Sequence, residues 1–194
     1  MHFGNIKKYD IANGEGVRVS LFVSGCRNYC KNCFNPETWN FNYGKEFTKE
    51  VEEEILTALA PSYINGLTIL GGEPFEQPEA LEFLCKKIKE AGLSIICFTG
   101  NTIDNIKTKH QSILKNIDLL IDGEFREEEK DFSRPWVGSK NQNYHFLSNK
   151  FNKSILEEYK NKIELNIQKD GMIFINGMGD FDELTKKLKF FSIH

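Results

Sequence analysis

The chain has 194 residues, of which 40% are hydrophobic and 27% charged, and these proportions are typical of an ordinary globular protein. Its formal net charge of -3 gives no overall electrostatic reason to bind nucleic acid or an anionic membrane. The sequence lacks both a run of about 18 apolar residues and the apolar N-terminal segment of a signal peptide. We therefore expect a cytoplasmic protein that forms one domain over residues 1–194 and binds neither nucleic acid nor membrane.

Short apolar segments and helical patterns alternate from residue 17 to residue 122. Helical patterns separate the apolar segments, with glycine or proline at several of the junctions. The predicted strands lie at 17–23, 67–70, 94–98 and 118–122, and the predicted helices lie after Thr48, between Pro78 and Gly92, and around 103–114. This alternation predicts a parallel sheet, which binds ligands at the carboxyl ends of its strands. Arg18, in the first strand, has an ordinary interpretation as a charged residue at an outward strand position, which is common.

Two later segments depart from this alternation. Residues 123–148 form a connection longer than the roughly 12–15 residues usual for loops in compact domains, which indicates a functional or mobile segment. Residues 163–168 and 172–176 alternate around Lys169-Asp170-Gly171 and predict a β-hairpin. Asp180 begins a capping pattern that predicts a final helix.

The five cysteines are unevenly distributed. Cys26, Cys30 and Cys33 follow the first predicted strand, whereas Cys85 and Cys97 lie in apolar stretches and are predicted to be core residues. Cytosolic thiols are kept reduced, so the odd number and the clustering favour metal binding over disulfides. No fourth cysteine or histidine lies close to the three in sequence. Structural zinc and protein-held four-iron clusters use four ligands, so three thiolates would leave one iron open to a substrate.

The CxxxCxxC spacing after a strand resembles the signature of the radical S-adenosylmethionine enzymes. The resemblance implies an α/β fold, an incomplete (β/α) barrel to which the C-terminal β-hairpin and helix are added. It also implies a 4Fe-4S cluster held by Cys26, Cys30 and Cys33, with S-adenosylmethionine on the remaining iron. One-electron cleavage of that cofactor gives a 5′-deoxyadenosyl radical, which removes a hydrogen atom from an inert C–H bond.

Two turns and the cysteine loop match further motifs of these enzymes. Gly71-Gly72-Glu73-Pro74 resembles the GGEP motif, which lines the amino end of the methionine. The two glycines permit close approach of the backbone to a ligand, and the carboxylate can accept hydrogen bonds from an ammonium group. Thr99-Gly100 resembles a second ligand-lining turn. Asn32 occupies the place of an aromatic residue that many members carry against the adenine, so we expect Phe34 or Tyr29 to supply the apolar contact.

Three stretches resemble glycyl-radical activating enzymes, and two of them resemble the activating enzymes of anaerobic, class III ribonucleotide reductases. Residues 13–26, which include the first predicted strand, resemble glycyl-radical activating enzymes in general, although Asn13 and Glu15 depart from the DGPGxR pattern that these enzymes carry before the strand. Residues 33–39 resemble a CxNxxTW run. Residues 122–142 resemble the DGxF, KD and (W/F)xGSxNQ elements in order and spacing.

This resemblance implies a protein substrate, the large subunit of the anaerobic ribonucleotide reductase. A Cα hydrogen would be removed from one of its glycines, and a flavodoxin or ferredoxin would supply the electron. We expect residues 136–142 to lie at the interface with this partner, because their amides and hydroxyls can bind a threaded glycine loop.

Other functions remain open at this point. The same chemistry would suit an activase of another glycyl radical enzyme, such as a pyruvate formate-lyase-like protein, or a small-molecule enzyme like 7-carboxy-7-deazaguanine synthase. A zinc-binding or electron-transfer module without catalysis would also use clustered cysteines. Reconstitution with iron and sulfide separates the last class from the radical enzymes. Coupling to a purified anaerobic ribonucleotide reductase separates an activase of that reductase from the other radical enzymes.

Overall fold

Strands and helices alternate along the computed structural model, which describes residues 1–180, 183, 184 and 186. The strands are β1 (His2–Asp10), β2 (Val17–Val23), β3 (Lys45–Glu46), β4 (Ile64–Gly71), β5 (Ser94–Phe98), β6 (Leu119–Asp122), β7 (Asn143–Phe146), β8 (Ile163–Ile167) and β9 (Ile173–Gly177). The α-helices are α1 (Lys49–Leu59), α2 (Pro78–Glu90), α3 (Ile103–Lys109), α4 (Gln111–Leu114) and α5 (Ile155–Glu158).

Within the described residues, seven strands form one mixed sheet in the order β3-β1-β2-β4-β5-β6-β7. Its centre, β2-β4-β5-β6, is parallel, which confirms the prediction from the alternation of strands and helices. The outer strands pair antiparallel with their neighbours. Strands β1, β3 and β7 were not predicted from the sequence, because their residues are largely polar and alternate only weakly between apolar and polar. The architecture is therefore mixed α/β with a large mixed sheet.

The hydrophobic core lies on both faces of this sheet. On one face, Leu21 and Ile69 pack against helix residues such as Ile55 and Leu84, and all four are fully buried. Each such side chain stabilises the fold by about 1.5–3 kcal/mol. Cys85 and Cys97 belong to the same cluster, which confirms them as core residues. On the opposite face lies a second cluster, made of Ile96, Leu119, Ile121, Trp136, Val137, Phe151 and Ile155.

Three details differ from the expectations. The helix predicted around 103–114 is interrupted at His110, which has a non-helical φ of -137°. This residue is the C-cap of α3 and the N-cap of α4. Residues 123–148 contain a 3₁₀ turn, Glu127–Glu129, and strand β7, so the long connection is largely ordered. Arg18 does not point outward: it is fully buried and donates to the Thr68 hydroxyl at 2.7 Å. Burial lowers the pKa of Arg18 to about 10.

The C-terminal hairpin is confirmed as the antiparallel pair β8-β9, a separate two-stranded sheet. Asp180 Oδ1 accepts a hydrogen bond from the Glu183 N–H at 3.0 Å, as the capping pattern predicts. The remainder of the predicted final helix lies outside the described residues. No helix in the described part of the chain is long and apolar enough to cross a membrane.

Candidate functional site

The three clustered cysteines lie in the loop that follows β2. This loop is closed by backbone hydrogen bonds to the 3₁₀ turn Pro36–Trp39: the N–H of Gly25 donates to the Thr38 carbonyl at 2.7 Å, and that of Cys26 to the Trp39 carbonyl at 3.3 Å. Gly25 has a φ of +95°, a conformation that favours glycine. The chain therefore turns sharply at the end of the strand and places the first cysteine at its carboxyl end.

All three thiols line one cleft of about 1150 Å³. Cys26 is buried, and Cys30 and Cys33 are half-buried. Burial raises the pKa of Cys26 to about 11 and also raises the pKa of Cys30. The backbone N–H groups of Asn28 and Phe125 hydrogen-bond the Cys26 and Cys30 sulfurs respectively and oppose this shift. Metal binding at these cysteines would release protons.

The donor set fits an iron–sulfur cluster. Within the part of the chain that the structure describes, no three His, Cys, Asp or Glu side chains converge closely enough to hold a single metal ion. A four-iron cluster does not need that convergence, because each thiolate binds a different iron atom. Backbone N–H groups directed at the sulfurs are among the features that tune the reduction potential of such clusters.

The Gly71-Gly72 turn packs directly against the cysteine loop. The Gly72 N–H donates to the Val23 carbonyl at 2.8 Å, and the Glu73 N–H to the Gly25 carbonyl at 2.9 Å. A Cβ on Gly71 would lie 2.6 Å from the Val23 oxygen, and one on Gly72 would lie 2.7 Å from the Gly25 oxygen. The glycines thus allow close approach to the neighbouring backbone, and both also line the cleft.

Among the described residues, Glu73 is not one of those that line the cleft, although its carboxylate contacts two that do. Its side chain is 2% exposed and accepts hydrogen bonds from the Thr99 hydroxyl at 2.8 Å, the Phe75 N–H at 3.0 Å and the Gly100 N–H at 2.7 Å. Burial raises the pKa of Glu73, and these hydrogen bonds act in the opposite direction. The carboxylate therefore ties the end of β4 to the end of β5. Thr99 and Gly100 line the cleft, as the sequence analysis expects.

Aromatic side chains cover another part of the cleft. Phe34 lines it and packs against Phe125, with ring centroids 5.1 Å apart, and against Phe132 at 6.1 Å. Asn32 has a left-handed backbone (φ +56°), is exposed and is absent from the described residues that line the cleft. Tyr29 is 61% exposed. The structure thus brings Phe34 to the cleft and leaves the other two residues expected near an adenine outside it.

The Gly-Ser-Lys-Asn-Gln segment holds one side of the cleft in place. The Gln142 side chain accepts from the Gly138 N–H at 2.7 Å and donates to the Gly123 carbonyl at 3.0 Å. The Asn141 side chain donates to the Glu124 carbonyl at 2.8 Å. These hydrogen bonds fix residues 123–125, which line the cleft and include the N–H that contacts the Cys30 sulfur.

The expectation that residues 136–142 form the partner interface is corrected for residues 136–139. These four residues are buried, and Trp136 packs in the second core cluster with its ring 5.4 Å from that of Tyr159. Trp136 has a φ of +61° and its N–H donates to the Asn161 side chain at 2.7 Å. Side chains that are enclosed in the core cannot contact a partner, so this segment supports the cleft from behind.

A second group of cleft residues was not predicted from the sequence. Strand β1 and the hairpin contribute polar side chains, namely Asn5, Lys7, Tyr9, Glu164, Asn166, Gln168 and Asn176. The signal that could have found part of this group is the alternation of polar residues at 164, 166 and 168 in the predicted hairpin. The position of the hairpin beside β1 has no such signal.

Comparison with known proteins agrees with this site. Residues 12–145 match the family model described as a 4Fe-4S single cluster domain, which defines the class of the protein. The anaerobic ribonucleoside-triphosphate reductase-activating proteins are similar over most of the chain. That of Escherichia coli (strain K12) is 35% identical over 153 residues, which are 76% of this chain and 99% of that protein. That of Haemophilus influenzae (strain ATCC 51907 / DSM 11121 / KW20 / Rd) is 38% identical over 142 residues, which are 70% of this chain and 92% of that protein. That of Enterobacteria phage T4 is 36% identical over 146 residues, which are 73% of this chain and 92% of that protein. The chain belongs to this family of activating proteins.

Proposed function

We propose that this chain is a glycyl-radical activating enzyme that acts on an anaerobic ribonucleotide reductase. The observation that carries the proposal is the cleft itself, in which Cys26, Cys30 and Cys33 face the Gly71-Gly72 turn and Thr99. The names of the relatives support the choice of partner. The three thiols, without a fourth protein ligand close by in sequence, support a cluster with one open iron.

In this proposal, each side chain of the cleft has a separate task. Cys26, Cys30 and Cys33 hold a 4Fe-4S cluster, and the Gly71-Gly72 backbone, Thr99 and Phe34 face S-adenosylmethionine. When bound, cluster and cofactor together supply a 5′-deoxyadenosyl radical that takes a Cα hydrogen from a glycine of the reductase. Phe34 and its aromatic neighbours exclude water from the reacting atoms. Glu73 joins the two turns and, in this proposal, faces the amino end of the methionine moiety.

The fold and the setting belong to the same proposal. The parallel strands β2, β4, β5 and β6, with helices in their crossovers, support an incomplete (β/α) barrel of the radical S-adenosylmethionine type. We also propose that residues 1–194 form one domain, since the hairpin is hydrogen-bonded to the β1-β2 loop. The reduced thiols of such a cluster suit the cytoplasm, where a flavodoxin or ferredoxin would deliver the electron.

The test is anaerobic reconstitution with iron and sulfide, followed by reduction and addition of S-adenosylmethionine and the reductase of the same organism. We expect 5′-deoxyadenosine and a glycyl doublet in the electron resonance spectrum. A cluster whose spectrum ignores added S-adenosylmethionine, or a protein that holds only zinc, would refute the radical chemistry. Cofactor cleavage with no glycyl signal on the reductase, but with one on a pyruvate formate-lyase-like protein, would refute the partner.

A further inference from the structure

The C-terminal hairpin lies along the same cleft as the cysteines. Glu164 and Asn166 of β8, and Gln168 just beyond it, all line the cleft, as do Phe174 and Asn176 of β9. Because side chains alternate between the two faces of a strand, the positions 164, 166 and 168 share one face. The hairpin therefore turns a polar face, rich in amides, toward the cleft.

Side-chain contacts attach the hairpin beside β1. Lys7 Nζ lies 2.7 Å from Glu164 Oε2, and both side chains are mostly buried. The Asn176 side chain donates to Asp10 at 3.0 Å and accepts from the Asn13 side chain at 2.8 Å. These contacts hold the hairpin beside β1, and residues of both line the same cleft as the cysteines.

The hairpin lies outside the part of the chain that the family shares. The family match ends at residue 145, and β8 begins at Ile163. The three relatives are covered over 92% to 99% of their own length, yet the alignments cover only 70% to 76% of this chain. The family match therefore does not include the hairpin, and the chemistry common to the family does not require it.

The position of the hairpin indicates a long ligand. Lys7 pairs with Ser20, which lies three residues before the end of β2 at Val23. Because a strand rises roughly 3.3 Å per residue, the Lys7–Glu164 contact lies about 10 Å from the cysteine loop. Asn166 and Gln168 are exposed, and their amides can both donate and accept hydrogen bonds, which matches the two groups of a peptide unit. The neighbouring Lys7–Glu164 pair leaves no net charge to attract an ion.

We propose that the hairpin recognises the backbone of an extended peptide segment of the partner protein, and that Asn166 and Gln168 make the contacts. This inference rests on the proposed function, in which the partner is the reductase and the segment carries its glycine. A glycine segment offers peptide groups and hardly any side chain, so amide side chains are suitable recognition groups. The hairpin thus continues the cysteine site into a groove for the protein substrate.

The experiment compares the reconstituted wild type with the double variant Asn166→Ala/Gln168→Ala. We expect the variant to bind the reductase of the same organism about tenfold more weakly, which corresponds to the loss of two modest hydrogen bonds, and to form the glycyl radical more slowly. Formation of 5′-deoxyadenosine without the reductase should be unchanged. The double variant Asn166→Asp/Gln168→Glu keeps the shape, removes the N–H donors and should weaken binding as well.

The control is Gln111→Ala/Asn149→Ala, which removes two exposed amides outside the cleft lining and should leave binding unchanged. Equal binding by wild type and both cleft variants would overturn the inference. So would a loss of 5′-deoxyadenosine in the absence of the reductase, because the hairpin would then support the cluster site. If the wild type itself forms no glycyl radical, the proposed function fails and the inference fails with it.

Discussion

The two sides of the cleft are built differently. The cysteine side, which consists of the loop after β2 and the Gly71-Gly72 turn, is held by backbone hydrogen bonds such as Gly72 N–H to Val23 O at 2.8 Å. The hairpin side, which consists of β8 and β9, is held to the sheet by side chains such as the Lys7–Glu164 pair at 2.7 Å. Backbone packed on backbone permits almost no movement, whereas a few side-chain contacts allow a strand pair to adjust.

This difference matches the two tasks in the proposed function. A cluster needs thiols at defined positions, and buried strand ends supply them. A protein segment has to enter and leave, and elements with few buried contacts open at the lowest free energy. The hairpin is attached to β1 by a few side-chain contacts such as the Lys7–Glu164 pair, so it should open at a lower free energy than the sheet.

The largest effect is expected for Cys30→Ala. Loss of this thiol removes one of three proposed cluster ligands, so we expect loss of the brown colour, of bound iron and of 5′-deoxyadenosine formation. Visible absorbance, iron analysis and product chromatography measure the three losses. Cys85→Ala is the matched control: its thiol is fully buried in the core, and its loss should cost about 1–2 kcal/mol of stability and leave the cluster intact. A cluster retained in Cys30→Ala would contradict the assignment.

Gly72→Ala should disturb the cysteine side next most strongly. The added Cβ would lie 2.7 Å from the Gly25 oxygen and 3.0 Å from the Thr38 oxygen, and backbone atoms cannot move aside cheaply. Overpacking of this kind costs about 1–3 kcal/mol, and here it should also lower the cluster content. In Gly92→Ala the Cβ meets nothing within 4 Å, although φ is +77°. That control should lose stability through backbone strain alone and keep its cluster.

Glu73→Gln tests the link between the two turns. The carboxylate accepts from Thr99, Phe75 and Gly100, and an amide nitrogen cannot replace one of its oxygens as acceptor, so we expect a loss of about 1–3 kcal/mol at neutral pH. The pKa of Glu73 is raised in the folded chain, so the wild type gains stability from protonation as the pH falls through that pKa. The deficit of the variant should therefore widen in acid. Urea unfolding at several pH values measures it, and a deficit independent of pH would contradict the raised pKa.

The smallest effect is expected on the hairpin side. Asn176→Ala removes the hydrogen bonds to Asp10 and Asn13 and should speed hydrogen exchange in β8 and β9. Global stability should change by no more than about 1 kcal/mol, because Asp10 keeps its bonds to the backbone of residues 12 and 13. Asn149→Ala, at an exposed position, is the control. A similar increase of exchange throughout the sheet would show that the hairpin is part of the main folding unit.

Much of the fold could be predicted because it follows from local patterns. The period of the apolar residues predicts the parallel strands and their helices, and turn residues predict the hairpin. Strand β1 was not predictable in this way. Its residues His2–Asp10 gain their structure from pairing with β2, and they show hardly any alternation of apolar and polar residues. The cysteines were predictable from spacing alone, and their approach to the turn at Gly71-Gly72 follows from parallel neighbours ending at one edge.

By itself, the sequence determined the chemistry available to this protein: three thiols after a strand, a double-glycine turn after the next strand, and a hairpin with alternating polar residues. Only the tertiary structure decided the direction of each side chain. It turned Glu73 inward, enclosed residues 136–139, and set Asn176 against Asn13, 163 positions away in the chain. Local patterns could not predict these outcomes, because each depends on which distant backbone or side chain satisfies a polar group once water is excluded.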